Sequence, residues 1–469
     1  MINKIFIIAT CLLFLLIVLA VRTVAVEYAD GYAYLNNSLA LTKHSSIFTY
    51  IYYRPPLISI FNAVPLMFYQ PEGAGITVLA PRIIALLLSA FSLAAVYKYL
   101  ANSFGMLLLA LSPLFIHYAP FVLTDIPGML FLILGFYFYS RANRNFSAFF
   151  FALAFMCRYT HLIALFALFI YENLRLLKID FYRIGIDWRQ LLQRQIWRQL
   201  LSNYNSFLKV SLISLIIFFV SHTLIFLHLG RTWRSPFYVF LALRVQVAAS
   251  NIEPLLDPFI EYPQEIWMTF TIPVCILLFI GIFQAIKQRS DFDLLNLSWL
   301  GIYFFFLMIA THREARYLFA VFPPILYFVV LSLQLLTPKL KLAVMLLILV
   351  LPIRLAVIEF QRFSDPLYTH SFMTEVAQSI NQTNKLVCLE GEYFTFYPRN
   401  HNFLPDDEFM YYHHLNRTGL KFWLGKEIIE NGGCVKIRFP ELIWKKNAQE
   451  APEPPPPFIV EGIGEFHYR

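Results

Sequence analysis

The stretch IFIIATCLLFLLIVLAVRTVAV (residues 5–26), followed without a break by EYADGYAYLNN (27–37), decides the fold. Its first part is apolar but for one arginine, and it is as long as the roughly 20 residues a helix needs to cross a bilayer. The start is short and basic, as in a secretory leader. However, no small-residue cleavage site follows and the apolar run is long, so 4–26 reads as a retained span. A lone carboxylate, Asp30, then stands among tyrosines where the chain leaves lipid.

The whole chain follows that lead. It is 59% hydrophobic and 14% charged over 469 residues, with 48 phenylalanines, whereas soluble domains run near ~45–50% apolar and ~25% charged. The surplus must face hydrocarbon. Its runs are continuous rather than alternating, which points to helices and not to a barrel. Further spans are expected at about 76–97, 103–117, 126–140, 146–157, 159–172, 208–228, 265–286, 294–311, 317–336 and 340–360. Those between 103 and 172 are short, so they read as tilted, re-entrant or paired. The expected fold is a polytopic α-helical membrane protein of about 11 transmembrane helices.

Basic residues orient it. With Lys4 cytoplasmic, the inner loops carry Lys98, Arg141, Arg144, Lys287, Arg289, Lys339 and Lys341. The inner loop 173–208 adds Arg175, Lys178, Arg183, Arg189, Arg194 and Arg198. Topology thus accounts for the net charge of +8, and no nucleic-acid partner is implied. The outer face, expected to be that of the cell membrane, receives 27–75, 118–125, 229–264, 312–316 and everything after about 361.

Two domains are expected. Residues 1–361 form the multi-pass part. Residues 362–469 form a small extracytoplasmic α/β domain, with helices at SFMTEVAQSINQT and LKFWLGKEIIENGG, strands at KLVCLEG and CVKIRF, and an extended Pro-rich APEPPPP segment. Cys388 and Cys434 fall at the two strands and are able to pair in an oxidising compartment. No Cys or His spacing fits a zinc site.

Three polar islands lie on the outer face. The first holds Glu27, Asp30 and His44, then YIYYRPPLISIFNAV, where Arg54 precedes a proline pair that separates two helices. The second is HYAPFVLTDIPGMLF, in which Thr124-Asp125 before Pro127 also makes a good helix cap. The third is THREARYLFAVFPP, with His312, Arg313, Glu314 and Arg316 set between apolar spans. So much charge beside hydrocarbon is costly, and arginine forks suit phosphate oxygens. Arg158, between two short spans and flanked by Tyr159 and His161, repeats the point.

In their order, ADGYAYL, YRPPL, LTDIP, CRYTHL and HREARYLFAVFPP resemble the GT-C glycosyltransferases. The branch of protein O-mannosyltransferases, aminoarabinose transferases and lipopolysaccharide-core sugar transferases is the most similar, and the resemblance covers about 27–330. HREARY is also similar to a His-Lys-Glu-x-Arg-Phe pattern of a mannosyltransferase branch. The Trp-Trp-Asp motif of oligosaccharyltransferases is absent.

The resemblance implies inverting transfer at the outer face. The donor is a sugar on polyprenyl or dolichyl phosphate, and the acceptor is a hydroxyl of a glycan, lipid or protein. Asp30 matches the general base. The position after it is Gly31 where many relatives carry a second acid, so Glu27 stays a competing base. Asp125 matches an acid that orients the acceptor or helps to hold a divalent metal, for which Asp30 and Asp125 are the only ligands proposed. Arg54, Arg158, His312, Arg313 and Arg316 are assigned to the donor phosphate. No nucleotide-binding loop is present, as an already activated lipid-linked donor requires. A transporter of a lipid-linked or anionic substrate is the competing reading. It fits less well, because the polar residues gather at one face instead of mid-span.

Overall fold

The computed structural model describes residues 2–22, 29–42, 54–68, 79–177, 194–229, 258–309, 314–363 and four short strands beyond residue 386. Glu27, His44, His312, Arg313, Cys434, the two helices expected in the tail and its Pro-rich segment lie outside the described residues.

Helix occupies each apolar run read from the sequence. The helices are α1 (Ile2–Val21), α2 (Ala29–Thr42), α3 (Leu57–Phe68), α4 (Leu79–Leu100), α5 (Ser103–Ala110), α6 (Pro113–Tyr118), α7 (Asp125–Ser140), α8 (Arg144–Cys157), α9 (Ala164–Leu177), α10 (Arg194–His228), α11 (Pro258–Phe270), α12 (Ile272–Gln288), α13 (Asp291–Ile309), α14 (Phe322–Leu333) and α15 (Pro338–Arg362). Two 3-10 turns, Tyr159–Ile163 and Ala315–Ala320, precede α9 and α14.

Among the described residues, five helices are long and apolar enough to cross a membrane, within α1, α4, α10, α13 and α15. A sixth is added if α11 and α12, bent by 111° at Thr271, form one broken span. The expected spans at 126–140 and 146–157 are single short helices, and others are divided where the chain breaks within them. Ser112 caps α6 and Pro113 opens it, which divides the run at 103–117. Pro323 and Pro324 confine α14 to the part of the 317–336 run that follows the second 3-10 turn.

Two compact units divide the chain, one comprising Met1–Phe14, Leu88–Ala119 and Thr124–Ala356, the other Leu15–Leu87, Pro120–Leu123 and Val357–Arg469. In the first unit α7 and α8 form a tight hairpin. Arg141 ends α7, Ala142 turns with φ 58°, and the Asn143 side chain accepts from Phe146 N–H to start α8. At ~1.5 Å per residue the two helices are nearly equal in length, so the chain returns Arg158 to the level of Asp125. Phe136 and Phe151 pack edge to face across the hairpin at 5.0 Å. Trp299 of α13, fully buried, stacks on Phe136 at 4.1 Å and donates from Nε1 to the Ala320 carbonyl at 2.9 Å. One indole therefore fixes α13, α7 and the second 3-10 turn together.

The far end of the same helices is also tied by charge. Tyr139 donates to Glu172, which is fully buried, and Arg175 lies 3.7 Å from Glu172 and 3.5 Å from Asp291. Arg144 stacks on the Tyr139 ring at 4.0 Å.

In the second unit α2 packs on α3 through the Ser59 hydroxyl, which donates to the Tyr34 carbonyl at 3.0 Å. The helix–Arg-Pro-Pro–helix order read from the sequence is present at 29–68. The tail contributes β1 (Val387–Glu390), β2 (Val435–Arg438), β3 (Phe458–Val460) and β4 (Gly464–Phe466) in that spatial order. The β1–β2 pair is parallel and the other two are antiparallel. Both sequence-predicted strands are found, and Cys388 stands opposite Lys436 in the register.

Close helix packing yields a paired test. A Cβ on Gly281 of α12 would stand 1.9 Å from the Phe328 carbonyl oxygen of α14, whereas one on Gly301 would meet nothing within 4 Å. Backbone cannot yield as a side chain does, and such overpacking typically costs ~1–3 kcal/mol. Gly281→Ala is expected to lower the thermal unfolding midpoint by several degrees in detergent, with Gly301→Ala unchanged or slightly higher. Equal midpoints for the two variants would contradict the α12–α14 contact.

Candidate functional site

Asp30 lies in the first turn of α2, where backbone N–H groups favour a negative charge. The proline pair at 55–56 ends the preceding segment and sets Arg54 just before α3. Its Nη2 meets Asp30 Oδ1 at 2.5 Å. Arg54 also lies 5.9 Å from the centre of the Tyr34 ring. Both partners of the pair are about one-fifth exposed (18% and 23%), so the pair remains within reach of a substrate.

Asp125 repeats the device in the first unit. It too occupies the first turn of a helix, α7, and it is only 3% exposed. The cap reading does not describe what its side chain does: Thr124 sits at the cap position and makes no side-chain cap hydrogen bond. The Asp125 carboxylate instead pairs through Oδ1 with Arg158 Nη1, and Arg316 Nε stands 3.8 Å from Oδ2. Arg158 is extended, φ −156°, between α8 and the first 3-10 turn, which aims its side chain back along the hairpin. Arg316 comes from the second 3-10 turn and also holds Glu314. The Tyr317 ring lies 3.9 Å beneath the Arg158 guanidinium. An isolated carboxylate at such depth is prohibitively costly, and the two arginines offset part of that cost by charge, although neither carboxylate oxygen completes a hydrogen bond among the described residues.

The structure thus joins Asp125, Arg158 and Arg316 in one cluster and Asp30 with Arg54 in another, each within its own unit. Two acids and two arginines make the larger cluster formally neutral. Neither Asp30 nor Asp125 faces an open metal-binding set. Each already meets a guanidinium, and no three His, Cys, Asp or Glu side chains gather among the described residues. Those residues do not by themselves fit a divalent ion.

Sequence reasoning passed over several polar groups buried in apolar helices. Arg82, near the start of α4, is buried with its guanidinium 5.3 Å from the Phe121 ring, in the second unit. Tyr262 and Glu265 are buried on α11, which packs against the second 3-10 turn. For Arg82 the only signal was a charged residue in an otherwise apolar window, and for Tyr262 and Glu265, within the polar stretch EYPQE, nothing in the sequence marked burial.

No protein-family model matches the chain, and no curated protein does. Solved structures do. ArnT from Cupriavidus metallidurans bound to undecaprenyl phosphate superposes with a TM-score of 0.61 at 12% identity, over 93% of this chain and 92% of that one. The apo state of the same protein gives 0.57 at 11% identity over 92% of each. The apo oligosaccharyltransferase of Archaeoglobus fulgidus gives 0.51 at 13% identity, over 81% of this chain and 58% of that one. At these identities the likeness is one of fold, and it runs nearly end to end in ArnT. The chain therefore shares the fold of ArnT over almost its whole length.

Proposed function

We propose that the chain is a glycosyltransferase. It moves a sugar from a polyprenyl- or dolichyl-phosphate donor to a hydroxyl of a glycan, lipid or protein, with inversion, at the outer face of the cell membrane. In this reading about eleven helices cross the bilayer in residues 1–361, and 362–469 form an extracytoplasmic α/β domain. The Asp30–Arg54 pair at the exit of the first span is the observation that carries the proposal. The end-to-end likeness to ArnT bound to undecaprenyl phosphate supports the donor class.

The pair explains how a carboxylate becomes a base only when donor is bound. Alone, Asp30 shares its oxygen with the Arg54 fork. A donor phosphate offers that fork a stronger bidentate partner, and the arginine's turn toward it uncovers the carboxylate. Asp30 then takes the proton of the acceptor hydroxyl as its oxygen attacks C1. The C1–O bond to phosphate breaks, and the electron pair leaves on polyprenyl phosphate, whose charge the arginines hold. Arg158 and Arg316, fixed by Asp125, belong to the donor-holding set together with His312 and Arg313. Asp125 is committed to its arginines and orients rather than deprotonates.

Two experiments test this. Purified protein supplied with a panel of polyprenyl-phosphate sugars is expected to consume one of them. Asp30→Asn should lower transfer by at least about 100-fold, with donor binding within about twofold of wild type. Loss of turnover in Glu27→Gln with full activity in Asp30→Asn would move the base to Glu27. Substrate accumulation in vesicles with no lipid-linked donor would favour transport instead. For orientation, an impermeant maleimide on intact cells is expected to label N416C and spare R194C in a cysteine-free background. The reverse pattern would contradict an outer tail.

A further inference from the structure

Helix α10 carries a histidine inside the apolar stretch LIIFFVSHTLIFL (215–227), where an ionisable side chain is costly and marks a task. His222 is 1% exposed, lies 5.7 Å from the Phe218 ring and stacks on Phe226 at 4.7 Å. Its Nε2 stands 2.9 Å from the hydroxyl of Tyr159, which is itself 1% exposed. Nδ1 has no hydrogen-bond partner, so among the described residues this contact is the one polar tie that the imidazole makes. Phe218 completes the wall, edge-on to Tyr159 at 6.1 Å and to Phe155 of α8 at 6.3 Å.

Tyr159 follows Arg158 directly and opens the first 3-10 turn. Arg158 is extended (φ −156°, ψ 119°), and the side chains that flank an extended residue leave on the side opposite to its own. Tyr159 therefore reaches α10, while the Arg158 fork reaches Asp125 and rests on the Tyr317 ring. The Arg158 N–H donates to the Ala154 carbonyl at 2.9 Å, and its own carbonyl accepts from the His161 N–H at 2.9 Å. A shift of Tyr159 thus turns a hydrogen-bonded backbone and moves the fork with it. A phenol this buried needs a polar partner, and an apolar helix offers one only where it carries a residue such as His222. We propose that His222 is a positioning residue for Arg158. By holding Tyr159 it presets the guanidinium for the phosphate of the lipid-linked donor, so that binding does not have to order the fork. The inference rests on the transferase reading above, which puts Arg158 in the donor-holding set.

The test uses the full chain in nanodiscs and compares binding of undecaprenyl phosphate with that of undecaprenol, which lacks the phosphate. His222→Phe keeps an aromatic ring and removes the hydrogen bond. It is expected to weaken undecaprenyl phosphate about tenfold, with undecaprenol within about twofold. Tyr159→Phe, smaller by one oxygen, should show the same loss, and the two combined no more than either alone. His222→Gln, which still donates and accepts, should recover part of it. A merely structural histidine would weaken both carriers alike or neither, or its loss would add to that of Tyr159→Phe. Any of these outcomes overturns the inference and leaves the transferase reading standing. A wild type that binds undecaprenyl phosphate no better than undecaprenol contradicts the transferase reading, and the positioning role with it.

Discussion

A carboxylate buried to 3% exposure among apolar helices is tolerable only as part of an ion pair, and Asp125 is so placed. Its two arginines come from different parts of the chain, one just after α8 and one in the turn before α14. Satisfying that charge fixes the end of the α7–α8 hairpin and the approach of the second 3-10 turn. Trp299 reinforces the second contact from α13. The site is therefore a by-product of electrostatic necessity: wherever Asp125 goes, Arg158 and Arg316 must follow.

The opposite end of α7 obeys the same rule with different chemistry. Glu172 is fully buried and is met by the Tyr139 hydroxyl and Arg175. Arg144 and Arg175 are among the residues that the charge asymmetry assigns to the inner face, whereas Asp125, Arg158 and Arg316 are assigned to the outer one. Contacts within the helical unit keep the two groups at separate ends of one hairpin. The α7–α8 hairpin thus has an acid paired with arginine at each end, Asp125 with Arg158 and Glu172 with Arg175.

Much of this was legible in the sequence because membrane burial makes polar residues conspicuous. ADGYAYL, YRPPL, LTDIP, CRYTHL and HREARY stood out against apolar runs. The structure puts Asp30 beside Arg54, and Asp125 beside Arg158 and Arg316. What the sequence hid was pairing. Thr-Asp-x-Pro reads equally as a cap, and only the three-dimensional return of α8 shows that Asp125 is committed elsewhere. Arg82 was missed because a single polar residue hardly perturbs an apolar window, whereas Glu172 and Tyr262 stand in polar stretches, YENLR and EYPQE, that read as loop. The full-length spans are fewer than the apolar runs because prolines such as Pro113 and the left-handed φ of 75° at Thr271 interrupt helices without changing hydropathy.

The claim beneath the rest is that Asp125 and Arg158 exist for each other in the folded chain. The direct measurement is a double-variant cycle in thermal unfolding with Asp125→Asn, Arg158→Gln and the two combined. Losing Arg158 alone strands a buried charge, so that variant should be the least stable of the three. The double variant should recover much of the loss, with a coupling of about 1–3 kcal/mol. Midpoint losses that simply add would show that the two side chains do not interact, and the account of the cluster would fail.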